Sequence, residues 1–506
     1  MTSYFEYLRK FLTAFFQHLG RFFGKAFGSP WTDVGNNFNE YNSLLSQHSG
    51  EFGFWGWFFW VIFLLLGIGL IGAIGFFLFI FLRKYIRFVK GELDKDELRL
   101  QVERLNYELY QAAQERDKIL NLKVGYMGLK TGEEMSPEDQ ETVNEVASRF
   151  PKLTRVDNKY RDVDPNIPEK EGLSLEELCN ALRNYAASQH HLYYTINTIR
   201  QLIAGIATSK LIILEGISGT GKTSLAYALG KFFSFDSEII PVQPSWKDRS
   251  ELLGYYNEFT KKFNESEFLK ALYTCTDRKE LDVIVLDEMN LARIEYYFAE
   301  FLSVMEMRDT ADWLIDLIPA MQAGDPQQLR EGKLLIPQNV IFFGTANNDD
   351  STFTISDKVY DRAISLFFDD KGRPFEAERQ EALNIPYAQL KTLFDEAINQ
   401  YPISDSMLEK FSQLDNFVIK KFKLAFGNRI LKQLDSFIPV FIACGGAEVD
   451  GFDFIFTNKI LKKFESLNIA FLKDELKELS AYLDKQYGKG KFAKAQAYIE
   501  VLLKNS

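Results

Sequence analysis

Two hydrophobic patterns open the chain. Over residues 4–27 apolar side chains recur at 4, 5, 8, 11, 12, 15, 16, 19, 22, 23 and 27, while Arg9, Lys10, Arg21 and Lys25 take the other face. That spacing predicts a basic amphipathic helix of the kind that lies on a membrane surface, followed by a loop to residue 53. From Phe54 to Leu82 come 29 residues without a charge. As a helix this run spans ~43 Å against ~30 Å of bilayer hydrocarbon, which predicts a tilted transmembrane helix. Trp55, Trp57 and Trp60 form an aromatic belt at one end and Tyr85 stands at the other. Residues 31–53 hold no Lys or Arg, whereas "RKYIRFVK" sets Arg83, Lys84, Arg87 and Lys90 directly after the run. The positive-inside rule then places everything from residue 83 onward in the cytoplasm.

Past Gly91 the pattern turns charged. Leu98, Val102, Leu105, Leu109, Ala112 and Ile119 follow a 4-3 alternation broken at Arg116, so residues 83–123 predict a stalk that is either a coiled coil or one amphipathic helix. Residues 124–172, with "TGEEMSPEDQE" and "DVDPNIPEKEG", read as a polar linker. Between 173 and 370 short apolar strands, "KLIILEG", "LDVIVLDE" and "NVIFFGTANN", each end on glycine or polar residues. Residues 371–506 read as successive amphipathic helices.

Charge refines this division. The chain carries −11 overall, yet residues 1–90 hold eight Lys/Arg against four Asp/Glu. The remainder therefore carries −15, a poor general binder of nucleic-acid backbone, and no general DNA binding is expected. Three widely spaced cysteines and four histidines make neither a disulfide framework nor a zinc pattern, which suits a reducing cytosol.

The chemistry is written at the strand ends. "GISGTGKT" fits G-x-x-x-x-G-K-[ST] through Gly216, Gly221, Lys222 and Thr223, between an apolar strand and a helix start. Gly216, Ser218, Gly219, Thr220, Gly221, Lys222, Thr223 and Ser224 form the candidate phosphate site. Backbone N–H groups cradle phosphate oxygens there, the lysine neutralises the outer phosphates, and the threonine hydroxyl helps hold Mg²⁺. The second strand ends in Asp287 and Glu288, one carboxylate for Mg²⁺ and one to polarise the attacking water. The third ends at Asn347 and Asn348, where an amide can orient that water. Three polar strand tips on one sheet suit a ligand at the carboxyl ends of parallel strands. Arg362, in "SDKVYDRA", stands fourteen residues past Asn348.

The ordered set "GISGTGKT", "VIVLDEMNLAR", "GTANNDDSTFTISDKVYDRA" and "FGNRILKQL" resembles the AAA+ ATPases. More narrowly it is similar to the McrB-related group, near the MoxR-type and dynein-type modules, over about residues 190–470. The resemblance implies an α/β module, a parallel sheet with helices on both faces, followed by an all-α lid. It implies that Asn347 is sensor 1, Arg362 an arginine finger acting on a neighbouring subunit, and Arg429 the sensor 2 arginine of the lid. A finger supplied in trans implies a homo-oligomeric ring, taken as a hexamer. McrB enzymes usually carry a run of arginines where this chain has "DRA", and their GTP preference goes with a different sensor region, so ATP is the expected nucleotide. Related modules place pore loops and a hairpin within "PSWKDRSELLGYYNEFTKKF", which makes Trp246, Tyr255 and Tyr256 candidates for substrate contact.

The expectation is therefore a single-pass, membrane-anchored ATPase of a prokaryotic cell, its ring on the cytoplasmic side, remodelling a protein partner as MoxR-like chaperones do. The McrB resemblance offers instead a motor or regulator for a partner nuclease in a defence system. A nucleotide-gated membrane scaffold is a third alternative.

Overall fold

The computed structural model describes residues 2–24, 31–66, 76, 79, 80, 83, 148–163, 166–217, 219–233, 235–347, 352–368 and 372–504. The chain divides into two compact units, Met1–Met127 and Gly128–Ser506.

In the first unit α1 (Thr2–Gly24) is the expected helix, but its apolar stripe is partly spent on neighbours. Tyr7 is buried, edge-on to Phe52, and its hydroxyl accepts from Trp60 Nε1 at 3.3 Å. Phe11 packs on Tyr41 and Phe63. Residues 31–53 are not the loop expected: α2 covers Trp31–Ser49. Its apolar positions Phe38, Tyr41, Leu44 and Leu45 keep helical spacing that the surrounding Asn and Ser residues conceal. His18 sits between α1 and α2, 2.8 Å from the Tyr41 hydroxyl and 3.2 Å from Glu40 Oε2. A further helix occupies 54–66. Among the described residues no helix is long and apolar enough to cross a membrane. Most of the uncharged run beyond Leu66, and the 83–123 stalk apart from Arg83, lie outside the described residues.

The second unit is built on five parallel strands: β1 (Leu211–Gly216), β2 (Glu238–Pro241), β5 (Asp282–Asp287), β9 (Val340–Ala346) and β10 (Ile364–Phe368). Their order across the sheet is β10-β1-β9-β5-β2. Strands buried on both faces read as continuous apolar runs, and β9, "VIFFGTA", is buried at every position. Alternate side chains feed two cores. Ile212, Leu214, Val283, Val285, Ile341 and Phe343 enter one, and Leu211, Ile213, Ile284, Leu286 and Phe342 enter the other.

The first core is closed by α4 (Leu175–His190), α5 (Ile196–Thr208) and α6 (Lys222–Phe232), together with the C-terminal helices. The opposite core takes α3 (Pro151–Tyr160), α7 (Glu267–Thr274) and α8 (Ala299–Val304). Residues 148–160 therefore belong to the body rather than to the linker expected over 124–172. Phe150, Leu153 and Val156, three residues apart, are buried in that core, and Glu265 caps the helix by accepting from Lys152 N and Leu153 N at 2.8 and 2.9 Å. Two antiparallel insertions complete the unit: the hairpin β3 (Gly254–Asn257) and β4 (Lys262–Glu265), and a small sheet of β6 (Leu314–Asp316), β7 (Leu329–Arg330) and β8 (Lys333–Leu335).

The helical end comprises α9 (Tyr387–Gln400), α10 (Asp405–Phe422), α11 (Asn428–Ala443), α12 (Glu448–Lys459), α13 (Lys473–Tyr487) and α14 (Ala493–Lys504). Its core is continuous with that of α4–α6. Buried Asp453 on α12 anchors the start of α14, accepting from Lys494 N and Ala495 N at 2.8 and 2.9 Å.

Burial pushes Asp453 up to about 6, against the pull of those two N–H groups. Between pH ~4 and ~6 the folded state then holds a proton that the unfolded chain has released, so this residue lowers stability as pH rises through that window. The variant D453N should gain on wild type by up to about 3 kcal/mol from pH 4 to 6 and hold that difference above. Denaturant unfolding across that pH range checks it.

Candidate functional site

The strand tips build the site. β1 ends at Gly216, whose φ is +137°; a Cβ there would lie 2.1 Å from Phe368 O on the adjacent strand, so only glycine fits. Gly219 and Thr220 form the crown of the loop, with Thr220 Oγ1 donating to Ile217 O at 2.8 Å. Gly221 caps α6, and the buried Tyr194 hydroxyl pins it by donating to Gly221 O at 2.9 Å. Burial pushes the Tyr194 phenol well above its usual range, which keeps it a donor. Lys222 Nζ donates to Gly216 O and Ile217 O at 2.8 and 2.9 Å, so its charge stands within the loop. Loop amides, this ammonium and the N-terminus of α6 converge as an anion site. Ser224 follows on the first turn of α6; Ser218 lies outside the described residues.

Thr223 Oγ1 donates to Asp287 Oδ1 at 2.9 Å, joining the loop to the end of β5. Hydroxyl and carboxylate oxygens so placed fit a hard divalent ion, and Thr223 and Asp287 would hold Mg²⁺ beside the phosphates. The ion would neutralise charge developing on those oxygens. Glu288, next in the chain, is exposed, with its backbone in the left-handed region at φ +53°. A glutamate held there carries backbone strain of the sort kept at functional positions. The turn sends Glu288 outward and buries Met289 on the sheet, where Gly344 leaves room: a Cβ on Gly344 would meet Met289 Sδ at 1.8 Å.

Two residues that the sequence pattern did not single out complete this centre. Thr345, on β9, donates to Asp287 Oδ1 at 2.7 Å and accepts from Glu288 N at 2.8 Å, so one hydroxyl fixes the Asp287 carboxylate and the Glu288 backbone. Asn290 Nδ2 donates to Asn347 O at 2.8 Å, and Thr352 Oγ1 donates to the same carbonyl at 2.9 Å. Asn347 is thereby fixed at the tip of β9, and its buried Oδ1 makes no hydrogen bond among the described residues. The signals for both were their neighbours: Thr345 lies two residues before Asn347, and Asn290 two after Glu288. Asn348 lies outside the described residues.

Arg362 and Arg429 are elsewhere. β1 and β10 run parallel with Ile212 opposite Ile364 and Gly216 opposite Phe368, so Arg362 precedes the end of the strand pair remote from the loop. At 3.3 Å per residue the separation is ~20 Å, beyond the reach of its side chain. Arg429, on the first turn of α11, shares a partner with it: Glu306 Oε2 lies 2.9 Å from Arg362 Nη2, and Oε1 lies 2.6 Å from Arg429 Nε. With Lys210 and Lys432 these groups line a cavity of about 590 Å³. Neither arginine serves the phosphate loop of its own chain in this arrangement.

Of the aromatic candidates, Trp246 packs edge-on to Tyr297 and Tyr256 is partly buried, while Tyr255 is exposed on β3. Phe259 at the hairpin turn, not anticipated, is 81% exposed.

Residues 211–363, from the start of β1 to the edge of β10, match the family model of the AAA domain, dynein-related subfamily. The match covers less than a third of the chain and, at the general level, supports a P-loop nucleotide-binding module of the ATP-hydrolysing kind over these residues. Among curated proteins nothing matches. A solved structure from Cytophaga hutchinsonii, described as "a putative ATPase", is similar at 16% identity and a TM-score of 0.35, covering 61% of this chain and 83% of that one.

Replacing Thr345 by Val removes the hydroxyl while keeping the shape of a β-branched residue. Turnover should fall roughly tenfold, about 1.4 kcal/mol of barrier, with nucleotide affinity within about threefold of wild type. Steady-state hydrolysis beside equilibrium nucleotide binding separates the two.

Proposed function

We propose that the chain is a membrane-anchored AAA+ ATPase that forms a ring and couples ATP hydrolysis to remodelling a protein partner. The observation that carries the reading is the division of the chemistry between two ends of one sheet. Lys222, Thr223, Asp287, Glu288 and Asn347 stand at the carboxyl ends of the strands, whereas Arg362 and Arg429 gather at the other end. A site lacking its arginines is completed by a neighbouring copy, whose Arg362 and Arg429 leave Glu306 to meet the phosphates of the adjacent nucleotide. Within each site Lys222 and the loop amides hold the phosphates, and Asp287 with Thr223 holds Mg²⁺. Glu288 takes the proton of the attacking water, and Asn347 orients that water. In-line attack is then favoured by position and by charge rather than by any covalent step.

Two features support the anchored, protein-directed part of the reading. The helix over 54–66 exposes Phe54, Trp55, Phe58, Phe59, Leu65 and Leu66, and the uncharged sequence continues to Leu82, as expected of a lipid-facing segment. The basic residues that follow favour the cytoplasmic side for the ATPase unit. Exposed Tyr255 and Phe259 on a projecting hairpin offer the contact that a protein client would meet. The acidic body disfavours a nucleic-acid track.

Replacing Glu288 by Gln should cut turnover at least a hundredfold while leaving ATP bound and the ring assembled. Membrane pull-down of that trapped variant should recover a folded client. A nuclease in the trapped complex would move the reading to a McrB-like regulator, and membrane-bound self-copies alone would move it to a scaffold. Replacing Arg362 by Ala should lower turnover by ~10³ or more. In equal mixtures with E288Q, partial activity should return, because R362A sites can borrow an intact arginine from the E288Q copies.

A further inference from the structure

The turn bearing Arg362 is gripped by the C-terminal helices. Lys459 Nζ, at the end of α12, donates to Tyr360 O at 2.7 Å and also to Ala363 O, one carbonyl on either side of the arginine. Gln433 Nε2, on α11, donates to Asp361 O at 3.1 Å. Lys463 Nζ lies 2.8 Å from Asp361 Oδ1. Between these two lysines Lys462 reaches further. Its Nζ stands 3.8 Å from the centre of the Tyr360 ring and 4.4 Å from that of Phe367, and ends 2.5 Å from Glu215 Oε2. The Tyr360 hydroxyl donates to the same oxygen at 3.1 Å.

Glu215 is the residue immediately before Gly216, the last on β1 before the phosphate loop opens. Its side chain is 1% exposed and that of Lys462 9%, so the pair is buried. A buried ion pair contributes little net stability, because desolvating both charges offsets their attraction, and its better-attested use is to fix one arrangement against others. This pair joins three pieces of chain far apart in sequence: the strand that ends in the phosphate loop, the turn that presents Arg362, and the segment after α12. Among the described residues Glu215 Oε1 has no hydrogen-bond partner, and both contacts of the carboxylate fall on Oε2.

We propose that Glu215, Lys462 and Tyr360 are positioning residues that couple a chain's own phosphate loop to the placement of the Arg362 it offers to its neighbour. The inference rests on the reading that Arg362 acts in trans. Movement of the end of β1, as the loop closes on phosphate, pulls on Glu215. Lys462 and Tyr360 carry that displacement to the turn, whose backbone Lys459 and Gln433 hold as one piece. Nucleotide in one site thereby sets how well the next site is served.

The test uses the full chain with the substitutions E215Q and K462M made together, so that neither leaves its partner charged and buried alone, and Y360F as a milder variant that removes one hydroxyl. E215Q/K462M should lower kcat about tenfold and Y360F about threefold, with ATP KM and nucleotide Kd within twofold of wild type. Each loss should vanish in a background where Arg362 is already Ala, because the relay then has nothing to position. A wild-type kcat in E215Q/K462M, or a loss that multiplies with that of R362A, would overturn the proposal by showing a structural role independent of the arginine. Should the double variant fail to fold, Y360F decides by the same two criteria. If R362A alone turns over at the wild-type rate, the trans-arginine reading fails first and takes the relay with it.

Discussion

Hydrogen bonding between parallel strands in a single direction is the constraint on which the ATPase unit depends. Because β10, β1, β9, β5 and β2 all point the same way, their carboxyl ends share one edge and their amino ends the other. Loops leaving the first edge bring Lys222, Thr223, Asp287, Glu288 and Asn347 together from three separate stretches of sequence. The segment entering β10 leaves Arg362 at the opposite edge, where Arg429 joins it on Glu306. Separation of both arginines from the phosphate loop of their own chain follows directly from strand direction.

Burial on both faces makes that edge rigid enough to use. Alternating side chains of β1, β5 and β9 pack into two apolar cores, so the bodies of the strands keep their register beneath the tips. Thr345 exploits this stiffness: from a fully buried strand its hydroxyl fixes the Asp287 carboxylate and the Glu288 backbone together. Gly344 beside it lets Met289 sink against the sheet and turns Glu288 outward. Buried polar contacts of this kind serve orientation more than stability. The Glu215–Lys462 pair has the same character on the far side of β1.

Much of the site was legible in the chain. Short apolar runs ending in glycine or acid marked β1, β5 and β9, and the loop motif carried its own chemistry in residue types and spacing. The helices α2 and α3 were not legible, because their few apolar positions are diluted by Asn, Ser, Lys and Asp, and periodicity is a weak signal in polar company. Thr345 was hidden by its ordinariness, a threonine in an apolar strand being a common β-former. Phe259 is apolar in sequence yet exposed at a hairpin turn, a placement that only the pairing of β3 with β4 creates.

By itself the amino-acid order determined that a glycine-rich phosphate-loop motif would stand at residues 216–224, that acids would follow one strand and an amide another, and that an uncharged run would precede them. These are local properties, set by side-chain chemistry and by spacing within a single strand and turn. Which of those groups meet was decided only by the tertiary structure. It drew Thr345 and Asn290 into the site, set Arg362 and Arg429 apart from their own phosphate loop, and brought Lys459, Lys462 and Lys463 onto the turn around Arg362. Such meetings depend on strand order and register across hundreds of residues, which packing of the whole sheet settles and no local pattern encodes.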